Sequence, residues 1–156
     1  MALPFFQWLE ATPPGTWLAQ SIWSFAVIEA VHLVGLALLG GSVLLVDLRL
    51  LGLGLRRQPI SEIGGHAHRW LVGATGIMLA TGILLLISEP IKLYYNQSFW
   101  VKMWTLPIAL AFTFTVRRRV IRSGSEATWR TRLVAGASIA LWLTVAAAGR
   151  WIGFSS

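Results

Sequence analysis

An all-α integral membrane protein, a bundle of four spanning helices, is the fold class this sequence predicts. Three observations predict it. Hydrophobic residues make up 56% of the 156 residues and charged residues only 12%, about half the globular norm of roughly 25%. A soluble domain of this size has too little interior to hide that much apolar surface. The apolar residues also gather into four stretches, each near the roughly 20 residues a helix needs to cross the hydrocarbon. Finally, ten of the thirteen lysines and arginines fall on one side of the resulting topology.

Residues 1–16 open the chain. Phe5, Phe6, Trp8 and Leu9 suit a short segment lying in the interface. The start lacks the basic n-region of a signal peptide, so the first spanning helix is expected to serve as the insertion signal. That helix is expected from Trp17 to Val46, long enough to tilt. The second is expected from Trp70 to Ser88, ended by Pro90. The third is expected from Phe99 to Val116, with Pro107 inside it, where proline removes a backbone donor and bends a helix. The fourth is expected from Leu133 to Ile152. All four form a single domain.

Arginine and lysine counts orient the chain. Arg49, Arg56, Arg57 and Arg69 surround the first loop, and Arg117, Arg118, Arg119, Arg122, Arg130 and Arg132 the loop between helices three and four. Lys92, Lys102 and Arg150 lie opposite. The basic side is expected in the cytoplasm and both termini outside. Trp8, Trp17, Tyr94, Tyr95, Phe99, Trp100 and Trp151 then form an outer aromatic belt, with Trp70 and Trp129 at the inner face.

The net charge of +7 does not read as nucleic-acid binding, because the arginines flank apolar stretches instead of lining an aromatic groove. The chain has no cysteine. That excludes disulfides, iron–sulfur clusters, thiolate nucleophiles and covalently attached c-type haem. No phosphate loop, catalytic triad or zinc signature is present.

Ionisable residues inside a membrane are costly and therefore functional candidates. Glu29 and His32 lie three apart in helix one, on one face. Glu-x-x-His is the ligand spacing of di-iron bundles, but a full site needs a second motif and two further glutamates. A proton relay, a proton or metal transport path, and a structural hydrogen bond are the other uses of such a pair. Asp47 and Glu89 sit near helix ends, where water or an arginine can satisfy them. Copper has only Met78 and Met103 available, with no paired motif.

Haem b needs histidines from facing helices, small residues beside the ring and cations for its propionates. His32 and His68 are expected on antiparallel neighbours. His32 lies about 22 Å inward from Trp17, and His68 about 30 Å inward from Ser88, at 1.5 Å per residue. Tilt would have to close the mismatch of roughly 8 Å. Glu29 is the expected acceptor for the second nitrogen of His32. Gly35, Thr75 and Gly76 are expected to make room for the ring, and His66 is the alternative ligand. In a plainer reading, His66 and His68 belong to a wet loop entering helix two.

Small residues recur every four positions at Gly136, Ala140, Thr144 and Ala148 on helix four, and at Gly76 and Ala80 on helix two. Such stripes let helices approach closely, so a homo-oligomer or a larger membrane complex is an expected partner alongside the lipid bilayer.

The runs Glu29-Ala30-Val31-His32-Leu33-Val34-Gly35 and Asp47-Leu48-Arg49-Leu50-Leu51-Gly52, with Ser88-Glu89-Pro90 followed by Phe99-Trp100-Val101-Lys102, resemble an uncharacterised bacterial family. Its members are small four-helix inner-membrane proteins that carry only a domain-of-unknown-function label. The resemblance covers nearly the whole chain and implies fold and location, with no activity attached. A looser, architectural similarity runs to the membrane part of copper-resistance D-type proteins and small b-type cytochromes.

Two expectations follow. In the first, the chain is a membrane b-type cytochrome, an electron carrier between a quinone pool and a redox partner, not a stand-alone enzyme. In the second, it is a non-catalytic assembly subunit in which Glu29 and His32 form a structural pair.

Overall fold

The computed structural model describes residues 3–53, 58–124 and 128–154. Among these every regular element is a helix. Arg56 and Arg57 of the expected basic loop lie outside the described residues.

Two short helices precede the first span. α1 covers Leu3–Glu10 and α2 covers Pro13–Gln20. The Thr12 side chain accepts from the Gly15 amide, and proline opens the α2 helix, where its missing N–H costs nothing. The break at Ser21 is the main departure from the expected first span. Ser21 leaves helical geometry and caps α3 (Ile22–Leu51) by accepting from the Ser24 amide at 3.3 Å. Trp17 therefore belongs to the preceding interfacial helix. Gly52 ends α3 in the left-handed region at φ 80, a conformation without penalty for glycine.

α4 covers Ile60–Ser88 and begins ten residues earlier than expected. The Gly64–His68 run is helical because it lies on a buried stripe: Ile60, Ile63 and Gly64 continue into Leu71 and Ala74. α5 (Pro90–Tyr95) is a single outer turn. α6 (Gln97–Phe112) contains Pro107, widens into a π turn over Thr113–Arg117 and ends in α7 (Arg118–Arg122). α8 covers Trp129–Ile152, capped by Thr128. Four stretches, 23–51, 60–88, 97–122 and 129–152, are long and apolar enough to span a membrane.

α3 packs along α4, α6 along α8, and α3 against α8 joins the two hairpins. The shared core holds Leu39, Val43, Leu71, Ala74, Ala109, Trp142 and Val145. A second cluster of Val46, Leu50, Ile60, Ile63 and Ala135 closes the arginine-rich end. At the opposite end α1 lies on α5, with the Phe6 ring 5.2 Å from Tyr94 and 6.2 Å from both Phe99 and Trp100. Asn96 ties that end together by capping α6 and donating to the Ile152 carbonyl. The expected aromatic belt is thus split. Trp8, Trp17, Tyr95 and Trp151 are exposed, while Phe99 is buried beneath the α1 cap.

Candidate functional site

Two polar clusters lie inside the bundle, separated by the apolar core. His32 holds the one away from the arginine-rich end. Its Nδ1 lies 2.7 Å from Thr81 Oγ1, and the Thr81 hydroxyl donates to the Ile77 carbonyl at 2.6 Å. A hydroxyl has one proton. Thr81 spends it on Ile77, so His32 Nδ1 carries the donated hydrogen and Nε2 keeps the lone pair. Gly82 faces the imidazole: a Cβ there would stand 3.6 Å from His32 Cε1. Lys102 of α6 is within Coulombic reach of His32. Its ammonium approaches Gly149 of α8, where a Cβ would stand 3.3 Å from Nζ.

The expected cofactor set is not brought together. Thr81 and His68 are thirteen residues apart on one helix, about 20 Å at 1.5 Å per residue. His32 is bonded to the first and is correspondingly far from the second. The axial ligands of a single iron stand only a few ångströms apart, so His32 and His68 do not clamp one haem in this chain. The cause is the break at Ser21. With α3 beginning at Ile22, His32 is about 15 Å into the helix instead of about 22 Å.

The supporting residues diverge as well. Glu29 is exposed, with no hydrogen bond or ion pair among the described residues, and Thr81 takes its expected place beside His32. Gly35 is filled by its neighbours: a Cβ would meet Ile77 at 3.1 Å and Met78 at 3.3 Å. Its role is close helix packing. Thr75 donates to its own helix at Leu71. Gly76 opens outward with nothing within 4 Å. His66 is exposed, in a shallow groove with Glu62 and Trp70. Among the described residues no three histidines, cysteines or acids gather as a metal cluster.

The cluster at the arginine-rich end is built on Arg117, which is 3% exposed, and Asp47, which is fully buried. Arg117 Nε donates to Asp47 Oδ1 at 2.6 Å, and Nη2 donates to the Val43 carbonyl at 3.1 Å. The π turn aims Arg117 and Thr113 inward together. Thr113 Oγ1 accepts from Trp142 Nε1 at 3.0 Å. Ser138 of α8 lies near the Asp47 carboxylate, and among the described residues neither its hydroxyl nor Asp47 Oδ2 has a partner within hydrogen-bond distance.

Beside this pair a cleft of about 290 Å³ opens between α3, α4 and α7. Arg117, Arg118, Arg122 and His68 are among its walls. The His68 ring also meets Phe114 edge-on at 6.3 Å.

The sequence left Asp47 to water or an arginine and could not choose between them. Thr81 carried no signal beyond being a hydroxyl in an apolar helix. Lys102 was counted only among the cations opposite the basic loops; within the third span it comes into Coulombic reach of His32.

No curated protein and no solved structure matches the chain. A family model does match, over residues 5–155. With nearly every residue aligned and four spanning-length helices in place, the chain belongs to the DUF6644 family, a family of unknown function.

Proposed function

We propose that this protein is a non-catalytic subunit of a membrane assembly, packed in the bilayer against a second copy of itself. The observation that carries the reading is Glu29. It lies about 10 Å along α3 from Ile22, inside a spanning helix, exposed and without a hydrogen bond or ion pair among the described residues. Carboxylates facing lipid are costly, so a neighbouring helix in the assembly supplies its cover. The small-residue stripe supports the same reading. Gly136, Ala140 and Thr144 are exposed, and only Ala148 is turned inward. Gly73, Gly76 and Ala80 present a second open face on α4. One chain therefore offers two small-residue faces on which a copy can pack closely.

The arginine count supports an orientation with the basic loops in the cytoplasm and both termini outside, as in a bacterial inner membrane. The test is native mass spectrometry of protein extracted in mild detergent. An oligomer is expected, and Ala140→Leu is expected to shift it toward monomer by about 1–3 kcal/mol, the usual cost of overfilling a tight contact. A monomer at all concentrations, unchanged by Ala140→Leu, would sink the reading.

One observation favours a second reading. His32 presents an Nε2 lone pair with Nδ1–H fixed by Thr81, which is how a metal-bound histidine is commonly held. A haem b electron carrier with His32 as its one protein ligand would use this arrangement, exchanging electrons with a quinone or redox protein. Protein purified from haem-supplied cells would then show a Soret band that disappears in His32→Ala. A colourless preparation removes this reading and leaves the first intact.

A further inference from the structure

We propose that the cleft at the arginine-rich end binds a phosphate oxyanion, presented by the headgroup of an anionic phospholipid. This site is independent of the assembly reading.

The cleft concentrates positive charge around a fixed centre. Arg117 is buried and held at two of its three guanidinium nitrogens by Asp47 and the Val43 carbonyl. That leaves Nη1 for the cavity it lines. Arg118, the next residue, and Arg122, one turn further along α7, complete the wall. His68 faces them from α4 and is within Coulombic reach of all three arginines. Among the described residues, the acid bonded within this group is Asp47, on Arg117. Glu62 lines the separate groove with His66. Arg118 and Arg122 therefore have no counter-ion among the described residues. Convergent guanidinium groups suit a phosphate, whose oxygens accept their paired N–H donors.

Size and depth point to a headgroup. About 290 Å³ sits at the lower limit of small-molecule pockets, roughly 300 Å³. It accommodates a phosphodiester and excludes a macrocycle. Ser61, Gly64 and Gly65 keep the α4 wall low. Arg117 lies twenty residues from Gln97 and His68 twenty from Ser88, each about 30 Å. That is the hydrocarbon thickness, so the cleft stands where lipid phosphates lie. Basic pockets between spanning helices are a known form of anionic-lipid site. The π turn is what brings Arg117 inward while Arg118 and Arg122 remain at the rim, and such turns often mark functional positions.

The experiment uses the full chain, purified in neutral detergent, with native mass spectrometry after addition of phosphatidylglycerol, phosphatidylcholine or inorganic phosphate. Phosphatidylglycerol is expected to be retained one per chain, and phosphatidylcholine to be lost. Retention should weaken about tenfold or more in Arg118→Gln with Arg122→Gln, because the headgroup loses its charge-assisted bonds. Arg130→Gln with Arg132→Gln, at the same end on α8 but off the cleft, should change nothing. Circular dichroism and gel filtration confirm that each variant is folded. Equal weakening by both double variants would show a diffuse basic surface and overturn the site. Retention of inorganic phosphate, with displacement of the lipid, would overturn the lipid as its source. No retention of any of the three overturns the proposal outright.

Discussion

Arg117 reaches Asp47 at 2.6 Å across seventy residues of sequence, both side chains shut away from the surface. This contact joins the two hairpins of the bundle at its arginine-rich end. It also leaves an imbalance: one carboxylate oxygen and the neighbouring Ser138 hydroxyl are buried without partners among the described residues.

Breaking the pair on one side is expected to be severe. Arg117→Met strands a buried carboxylate, a change that costs about 3–5 kcal/mol. Arg117→Met combined with Asp47→Leu removes both charges and should recover much of the loss. Denaturant titration in mixed micelles measures both. A double variant as unstable as the sum of the singles would show that the two residues act independently.

His32 and Thr81 make a weaker test of the same kind. Interhelical hydrogen bonds in membranes average about 0.6 kcal/mol and reach about 1.7. Thr81→Val should cost an amount in that range, and Thr81→Ser almost nothing. Because the two residues share one bond, the cost of Thr81→Val should largely vanish in a His32→Ala background. Full additivity in this cycle is the outcome that refutes the bond.

Two glycines should respond oppositely to alanine. A Cβ on Gly64 would collide with the Ile121 side chain of α7, which is β-branched and stiff. Gly64→Ala should cost about 1–3 kcal/mol and lift α7 away from the cleft. Gly76 has open space around it, so Gly76→Ala on the monomer should be neutral or gain up to about 1 kcal/mol of helix propensity. Thermal unfolding of the two variants side by side decides this, and equal destabilisation would contradict the packing.

Membrane orientation can be read cleanly because the chain has no cysteine. Single cysteines at Ser156 and at Ser125 are expected to label from opposite sides of intact cells, Ser156 from outside and Ser125 only after permeabilisation. The reverse pattern would invert the topology drawn from the arginine count.

The class of the protein was legible in its composition, because a bilayer is the only solvent for so apolar a chain. Span number followed from the roughly 20 residues a helix needs to cross, and the facing of basic residues from their grouping. Boundaries were harder. Ser21 caps a helix only if the chain turns there, and a hydroxyl in an apolar run gives no sign of doing so. The Gly64–His68 stretch looked like a loop, yet it is helical because α7 packs across Gly64. Pairing was beyond the sequence altogether. His32 had a glutamate one turn away and two other histidines to pair with, but helix rotation gave it Thr81. Asp47 needed an arginine, and only the packing of α6 on α8 and α8 on α3, with the π turn, selected Arg117. Apolar periodicity states which residues leave water; which polar groups meet depends on helix rotation and register, and these are set by the packing of all four helices at once.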